Sequence, residues 1–252
     1  MKTLYLKLEP NDVSKYVLFS GDPFRVDVLV KNLENVRHIG FYREFNTYTG
    51  TYKGVDITVT STGIGAPSAA IAMEEMFECG MEVAVRMGTV MGLKDDYLGK
   101  LIIPAGAMRE EATSKTYAPV SFPAVADPEL VACMNKAARA NGRKYVNGIN
   151  CTLDGFYSQM KESRLSRKMN TDILKTFEDL KRYNVDGVDM ESACMLALGK
   201  LMGIRACIVT MTTVLANLKQ VLEGEERQKS EEDLCKVALD GIVEFHRKES
   251  EQ

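Results

Sequence analysis

Histidine and tryptophan are nearly missing from this chain of 252 residues, which has two histidines and no tryptophan. The two histidines, His38 and His246, are too few for a three-histidine zinc site. Their small number also makes catalysis by a serine–histidine pair a poor explanation. Basic residues are not in excess either, because 32 Lys and Arg stand against 35 Asp and Glu. Since duplex-binding proteins usually carry a basic excess, the sequence predicts no nucleic-acid partner. Because the histidines are so few, it also predicts no metal site.

Long apolar runs and paired cysteines are also absent. No stretch reaches the roughly 18 apolar residues that a membrane span needs. Met1–Pro10 lacks the apolar core of a signal peptide. The six cysteines form no CxxC pair, and most lie in apolar runs such as Arg205–Thr210. Such cysteines are typical of reduced, buried residues, so we expect a soluble, cytoplasmic enzyme or binding protein without a membrane partner.

Short β-rich runs alternate with longer amphipathic runs along the chain. This alternation predicts an α/β fold with a mixed central sheet flanked by helices, in a single domain spanning residues 1–252. The predicted strands are Tyr16–Ser20, Tyr48–Tyr52, Val55–Thr60, Glu82–Met87, Lys100–Ile103, Lys144–Leu153, Val188–Met190 and Arg205–Val214. The predicted helices are Asp27–Leu33, Ala66–Cys79, Pro128–Asn141, Asn170–Tyr183, Glu191–Met202 and Lys229–Arg247. Because ligands of such folds collect at the carboxyl ends of strands, the residues after each strand are candidates for a site.

A glycine and an arginine follow the first predicted strand. Gly21 would let a backbone N–H approach an anion, and Arg25 would supply a forked cationic donor. A surface turn with a solvated arginine explains the same pattern and is the commoner case. Arg43, which also lies near a strand end, would complete a set of three guanidinium groups able to hold a phosphate dianion.

Arg86 is more informative, because it follows the apolar run Val83–Val85 and is predicted to be buried. A buried charge must be paired. Its partner is either an internal Asp or Glu, or a bound phosphate that Thr89 and the Gly21 loop share. The residues alone favour neither explanation.

Two carboxylates, Asp189 and Glu191, lie at a predicted strand-to-helix junction. Acidic residues are common there because they cap the helix and face the positive end of its dipole. Alternatively, Glu191 accepts hydrogen bonds from a sugar diol while Met190 packs beneath the sugar ring.

Five motifs in register resemble the nucleoside phosphorylase family. They are Gly21-Asp22-Pro23-x-Arg25, Arg43-Glu44, Ser61-Thr62-Gly63-Ile64-Gly65-x-Pro67-Ser68, Arg86-x-Gly88-Thr89 and Met190-Glu191-Ser192. The resemblance runs from about residue 5 to the C-terminus, and it is closest to the branch of uridine phosphorylase and bacterial-type purine nucleoside phosphorylase, uridine phosphorylase above all. It implies a pentosyltransferase that converts uridine and phosphate to uracil and ribose 1-phosphate in nucleoside salvage.

The resemblance also implies a role for each matching residue, with Arg86 and Glu191 as the catalytic residues. Phosphate would be held by Gly21, Arg25, Arg43, Arg86 and Thr89. Ribose would be held by Tyr5, Thr89, Met190 and Glu191, and the base by Phe156, Gln159 and Lys161. Arg43 would complete the phosphate site of a neighbouring subunit, in a homodimer or in a hexamer built as a trimer of dimers. Inorganic phosphate would be a co-substrate, and no cofactor is expected.

Some residues depart from the family pattern, and they keep two alternatives open. Val90-Met91 replaces the usual small residues, Tyr5 stands where a histidine of the neighbouring subunit often meets the ribose, and Lys161 replaces an arginine. The arginine that the uridine branch carries after its last strand is absent from Leu215–Leu218. The alternatives are a purine nucleoside phosphorylase and a catalytically impaired member that binds a nucleoside. Against the purine enzyme, the last strand is not followed by the Ser-Asp pair of that branch.

Overall fold

Strands and helices alternate along the chain, and a computed structural model describes residues 2–251. The strands of its twelve-stranded sheet are β1 (Tyr16–Ser20), β2 (Glu34–Tyr42), β3 (Phe45–Tyr52), β4 (Val55–Ser61), β5 (Val83–Gly92), β6 (Leu101–Ile102), β7 (Gly106–Arg109), β8 (Ala124–Val125), β9 (Tyr145–Val146), β10 (Ile149–Thr152), β11 (Gly187–Asp189) and β12 (Arg205–Leu215). The α-helices are α1 (Pro23–Val30), α2 (Ala66–Glu78), α3 (Thr113–Tyr117), α4 (Pro128–Ala140), α5 (Arg164–Lys168), α6 (Ile173–Arg182), α7 (Ser192–Met202) and α8 (Gly224–Ser250). A 3₁₀ turn spans Pro10–Asp12 and a π-helical turn spans Phe156–Met160.

The centre of the sheet is parallel. β1 lies between β4 and β5, and β12 pairs with the other edge of β5. Antiparallel hairpins of β2, β3 and β4 extend the sheet on one side, and β11, β10, β7 and β8 extend it on the other. β6 pairs with β12 and β9 pairs with β6. This is the mixed sheet that the alternating pattern predicts.

Successive side chains of the central strands point to opposite faces of the sheet, as the period of two requires. In β1, Leu18 packs in a cluster with residues of α1, α4 and α8. Its neighbours Val17 and Phe19 pack in a second cluster, with residues of α2 and α7. Helices therefore cover both faces, and the predicted fold class is confirmed.

The start of α4 shows how local sequence sets a helix boundary. The side chain of Asp127 accepts hydrogen bonds from the N–H groups of Glu129 and Leu130, and Pro128 occupies the first helical position. Gly142 follows the end of the helix with φ of +66°. This is the arrangement expected from an N-cap aspartate, a proline at the first position and a glycine beyond the end.

Several predicted helix boundaries are wrong by a few residues. α1 begins at Pro23 instead of Asp27, because Asp22 caps it. α6 begins at Ile173 instead of Asn170, because Asp172 caps it. α8 begins at Gly224, five residues before the predicted Lys229, since acidic residues occupy its first turn.

β5 is longer than predicted, and this matters for the site. The predicted strand Glu82–Met87 ends before Gly88, whereas β5 continues to Gly92 because β12 stays paired beside it over that length. Gly88 and Thr89 therefore lie inside a strand and do not follow one.

Two further strand predictions are corrected by the structure. The predicted strand Lys144–Leu153 is divided, because β9 pairs with β6 whereas β10 pairs with β7 and β11. β2 is not predicted from the sequence, because most of its side chains are exposed and no apolar alternation marks it.

The cysteines of the chain are buried and free, as their apolar surroundings predict. Cys207, for example, lies in β12 within the core that α4 and α8 cover. None of the helices in the described part of the chain combines the length and the apolar character that crossing a membrane requires.

Candidate active site

The candidate site lies along one edge of β5, between the residues that pair with β1 and the residues that pair with β11. β1 pairs with this edge as far as Met87, and β11 joins it in the antiparallel sense at Met91. β12 occupies the opposite edge. The main chain of residues 88–90 therefore borders a gap between β1 and β11. Because β1 and β4 end in register, with Ser20 beside Ser61, the loops that follow them meet at this gap.

Arg86 is a buried cation beside this gap, with 4% of its surface exposed. Its side chain folds over Gly88, where an added Cβ would collide with Nη1. Nη2 donates to the carboxylate of Glu191. Nε and Nη1 are buried without a hydrogen-bond partner among residues 2–251. The internal carboxylate is thus present, but it satisfies only part of the guanidinium.

The two carboxylates after β11 have different contacts. Asp189 caps α7, because it accepts from the N–H of Ser192 at 3.2 Å. Glu191 occupies the N-cap position without a side-chain cap bond, so the helix begins one residue later than predicted. Its Oε1 accepts from the N–H of Gly65 at 2.7 Å and its Oε2 accepts from Arg86. Capping therefore explains Asp189 but leaves Glu191 facing the gap.

Burial dominates the electrostatics of Glu191. Burial raises the pKa of its carboxyl, the Arg86 charge acts in the opposite direction, and the Asp189 charge raises the pKa further. The N–H of Gly65 also favours the carboxylate. The charged form of Glu191 thus depends on Arg86 and on the loop after β4. Each carboxylate oxygen keeps a second lone pair for another donor.

The loop after β1 carries a second buried arginine. Gly21 lies against the loop after β4, because an added Cβ would stand 3.4 Å from the carbonyl oxygen of Gly63. Arg25, in the first turn of α1, donates from Nη2 to Glu231 of α8 at 3.1 Å. Its Nε and the Oγ of Ser20 are buried without a partner in the described chain. Unpartnered polar atoms are therefore also buried at the end of β1 and in the first turn of α1.

Thr89 lies on β5, Met190 directly follows β11, and both residues are half-buried. Thr89 lies beside Met211 in the register of β5 with β12. Val188 pairs with Met91, so the antiparallel chain of β11 runs from there toward Thr89. Met190 also packs against the apolar cluster that contains Met91.

Arg43 and Tyr5 lie together near the turn between β2 and β3. Arg43 is exposed, with φ of 57°, and its guanidinium lies 5.3 Å from the centroid of the Tyr5 ring. The N–H of Tyr5 donates to Glu75 of α2 at 2.7 Å. The adjacent Glu44 accepts from Ser68, also of α2, at 2.7 Å. The structure thus brings together one predicted phosphate residue and one predicted ribose residue.

The predicted base-binding residues lie on the π-helical turn after β10 and just beyond it. Phe156 is 37% exposed and packs edge-on against Tyr157, with ring centroids 5.0 Å apart. The Oε1 of Gln159 accepts from the N–H of Gly155 at 2.8 Å. This bond orients the side-chain amide and leaves its NH₂ group for an acceptor. Lys161 follows the turn and is exposed.

The two histidines lie outside this site. His38 lies in β2, with Nε2 3.2 Å from the Oδ1 of Asn46. His246 of α8 contacts Tyr16, the first residue of β1, because its Nδ1 lies 3.0 Å from the Tyr16 hydroxyl. Tyr16 and His246 border an open cleft of about 820 Å³ whose polar side chains largely pair with one another. Within residues 2–251, no group of three or more His, Cys, Asp or Glu side chains is placed to hold a metal ion.

Sequence reasoning missed three polar residues that the structure places in or next to the site. Ser20 is visible in the sequence as the polar residue that ends an apolar strand. Thr152 bonds to Asp189 at 2.8 Å and accepts from the N–H of Ala193, which fixes the start of α7. Glu231 is one of many acidic residues of α8, and nothing in its local sequence distinguishes it.

The sequence of this chain is similar to those of several known proteins. The family model described as the phosphorylase superfamily matches residues 15–244. The chain is 39% identical over 239 residues to a uridine phosphorylase of Thermococcus kodakarensis, covering 94% of this chain and 84% of the relative. It is 32% identical to a guanosine phosphorylase of Halorubrum lacusprofundi, covering 94% and 95% of the two chains.

Solved structures agree with this assignment. A uridine phosphorylase from Vibrio fischeri superposes with a TM-score of 0.84 at 30% identity, covering 96% of this chain and 97% of the other. A purine nucleoside phosphorylase from Toxoplasma gondii, solved in complex with immucillin-H, superposes with a TM-score of 0.86 at 26% identity, covering 98% and 97%. The family resemblance predicted from five motifs is confirmed, and the chain belongs to the phosphorylase superfamily.

Proposed function

We propose that this protein catalyses the phosphorolysis of a nucleoside, with uridine and inorganic phosphate as substrates and uracil and ribose 1-phosphate as products. The observation that carries the proposal is the incomplete pairing of the buried cations at the gap. Among residues 2–251, two buried donor atoms of Arg86 and one of Arg25 have no partner. Such donors are rare inside proteins unless a ligand satisfies them, and guanidinium groups suit a phosphate dianion.

Phosphate binding is assigned to both sides of the gap. Arg86 would offer Nε and Nη1, and Arg25 would offer Nε. Gly21 and Thr89 border the same space, and their backbone and hydroxyl groups would complete the shell. The net charge of the chain is −3, so the cationic site is local.

Ribose binding is assigned to the strand-to-helix junction. Glu191 would accept hydrogen bonds from the two ring hydroxyls through its remaining lone pairs. Met190 would pack beneath the sugar ring and Thr89 would lie at its edge, whereas Tyr5, which lies beside Arg43, would reach the ribose in the neighbouring subunit's site. Because Glu191 already contacts Arg86, the same ion pair would fix the sugar and the phosphate relative to one another.

The reaction then needs positioning and charge stabilisation. A phosphate oxygen forms a bond to the anomeric carbon while the bond from that carbon to the base breaks, and the base leaves with the electron pair. The sugar passes through an oxocarbenium-like state. Anionic Glu191 would favour the positive charge that develops on the sugar, Arg86 would hold the nucleophile in line, and Arg25 would contribute to binding it.

Base recognition is assigned to the turn after β10. Phe156 would pack on the base, since its ring is partly exposed. Gln159, whose Oε1 is held by Gly155, would donate from its amide to a carbonyl of uracil. Lys161 would donate to a second carbonyl. The uridine phosphorylases among the relatives support the choice of uracil.

The test is a substrate panel on the purified protein. Uridine, deoxyuridine, thymidine, inosine, guanosine and adenosine are each incubated with and without phosphate, and the released base is separated by chromatography. We expect phosphate-dependent release of uracil to be fastest. Absence of phosphate-dependent release from every substrate contradicts the enzymatic proposal and favours the impaired nucleoside-binding member.

Purine phosphorolysis is the second candidate function, because the Halorubrum relative is a guanosine phosphorylase. No Asp follows β12 in Ala216–Gln220, so no carboxylic acid of that segment can protonate a departing purine. The same panel decides between the two, since faster release of guanine or hypoxanthine than of uracil would favour the purine enzyme.

A subunit contribution is also proposed, with the homodimer or a trimer of dimers as the active unit. Arg43 is exposed and makes its contact with Tyr5, so it is available to a neighbour. We expect Arg43→Ala and Arg86→Ala each to lose most of the activity, and their mixture to regain activity after reversible dissociation. A monomer by light scattering with full activity would contradict this assignment. The free, buried cysteines are consistent with a cytoplasmic location.

A further inference from the structure

Glu231 of α8 is the partner of Arg25, and the function assigned above does not use it. Nη2 of Arg25 donates to Oε1 of Glu231 at 3.1 Å. The side chain of Arg25 is 9% exposed and that of Glu231 is 25% exposed. The two residues are 206 positions apart in the chain, so only the tertiary fold brings them together.

The contact leaves part of the Arg25 guanidinium aimed elsewhere. The Nε of Arg25 is buried and has no partner within the described residues. A guanidinium is planar and its donors point in fixed directions. A bond that holds Nη2 therefore sets the direction of Nε as well.

The main chain at Glu231 is itself firmly held. α8 buries the side chains of Ser230, Leu234 and Cys235 in the core, and Glu231 lies at the border of that buried face. Oε1 of Glu231 also accepts from Nε of Arg227 at 3.2 Å, one helical turn earlier. The carboxylate thus has a fixed base and a second cationic contact.

We propose that Glu231 is a positioning residue, which holds Arg25 in the orientation that binds phosphate and so ties α8 to the phosphate site. This rests on the proposed function, in which Arg25 binds phosphate. The two possible roles of Glu231 predict opposite effects on phosphate binding. A carboxylate near a phosphate dianion repels it, so a Glu231 that acted only through its charge would weaken phosphate binding. A Glu231 that positions Arg25 strengthens it.

The experiment replaces Glu231 and measures phosphate and nucleoside separately. In the full-length protein, Glu231→Gln and Glu231→Ala are compared with wild type for the KM of phosphate, the KM of uridine and kcat. Calorimetric titration with inorganic phosphate gives Kd without turnover. The matched control is Glu232→Gln, because the side chain of that exposed neighbour accepts a bond from Gln228 on the same helix and from no other residue that the structure describes.

We expect the KM and Kd of phosphate to rise about tenfold in Glu231→Ala and less in Glu231→Gln, which keeps an acceptor for Arg25. The KM of uridine and kcat at saturating phosphate stay within about twofold, as does every constant of the control. If Glu231→Ala does not fold, Glu231→Gln decides the test by the same constants.

Unchanged or tighter phosphate binding in Glu231→Gln and Glu231→Ala overturns the proposal. A parallel fall in kcat and rise in both KM values also overturns it, because a general disturbance of the fold would produce that. If wild type binds phosphate but releases no base from any nucleoside, the proposed function fails while the Kd comparison still tests Glu231. If wild type neither binds phosphate nor turns over, both fail.

Discussion

Arg86 and Arg109 are both buried arginines, but their surroundings differ. Arg109, at the end of β7, is 8% exposed and makes five hydrogen bonds, four to main-chain carbonyls and one to the hydroxyl of Ser114. Arg86 is 4% exposed and bonds only to Glu191, and its Nε and Nη1 have no partner in the described chain.

The difference separates two uses of a buried charge. The Arg109 guanidinium holds the segment from Ser114 to Phe122 through its carbonyls, so its donors are consumed by the fold. Arg86 has donors to spare, and a native protein rarely leaves such groups empty unless a ligand takes them. We therefore expect Arg109 to determine stability and Arg86 to determine activity.

The largest effect is expected for Arg109→Met. Removing the guanidinium leaves the buried carbonyls it serves without donors, and this costs about 3–5 kcal/mol of the free energy of unfolding. Urea denaturation measures it, with Arg182→Met as the exposed control that changes stability by less than about 0.5 kcal/mol. The folded fraction keeps kcat/KM within about threefold of wild type. A variant as stable as wild type would remove the contrast between the two arginines.

Arg86→Ala is expected to lower kcat/KM for nucleoside and phosphate by on the order of 100-fold or more. Steady-state kinetics measure it. The double variant Arg86→Met with Glu191→Met separates activity from stability, because it removes both charges of the pair. We expect its free energy of unfolding to stay within about 1 kcal/mol of wild type or to increase. An effect of Arg86→Ala on thermal stability alone would make Arg86 a structural residue like Arg109.

Glu191→Gln is expected to lower kcat/KM for uridine by about tenfold, since a neutral amide binds the ribose hydroxyls and the developing positive charge less well. The loss is smaller with deoxyuridine, which has one hydroxyl fewer for the side chain to bind. Kinetics with both substrates measure the ratio. Near-wild-type constants with uridine would refute the ribose role of Glu191.

Asp186 is a buried carboxylate that, like Arg109, has its hydrogen-bond partners within the fold. Burial alone would raise the pKa of Asp186, but hydrogen bonds from Lys94 and Tyr97 lower it below its ordinary value. The N–H of Ile149 acts in the same direction. Because the pKa in the folded state is depressed, these bonds stabilise the fold above the unfolded pKa of about 3.9, and the gain is lost as the pH falls through the lower folded value.

We expect Asp186→Asn to lose about 1 kcal/mol of the free energy of unfolding at neutral pH, and the deficit to shrink as the pH falls below about 4. Urea denaturation as a function of pH measures the difference. Asp95→Asn, at an exposed position nearby, is the control. A deficit independent of pH would mean that packing, and not the charge of Asp186, is responsible.

Parts of the fold could be predicted because their causes are local. The turn between β3 and β4 is such a case, since Lys53 and Gly54 both adopt positive φ, as a two-residue hairpin requires. α4 is another, with its cap at Asp127 and Gly142 beyond its end. The lengths of β5 and β10 could not be predicted in this way, because a strand ends where its neighbours stop pairing.

In the candidate site, too, some features could be predicted from the sequence and others could not. The motif order placed Arg86, Thr89 and Glu191 in one site, since the spacing of these residue types resembles a known family. The contact between Arg86 and Glu191 joins residues 105 positions apart, and it arises from the antiparallel entry of β11 beside β5. No local pattern encodes that entry.

By itself, the amino-acid sequence determined the alternation of strands and helices, the family resemblance and the small number of histidines. Each of these depends on residue type and on spacing along the chain. The tertiary structure alone decided which donors of Arg86 and Arg25 are consumed and which remain, and it alone paired Arg25 with Glu231. The physical reason is that hydrogen-bond satisfaction is a property of the three-dimensional neighbours of an atom, which the folding of distant segments brings into contact.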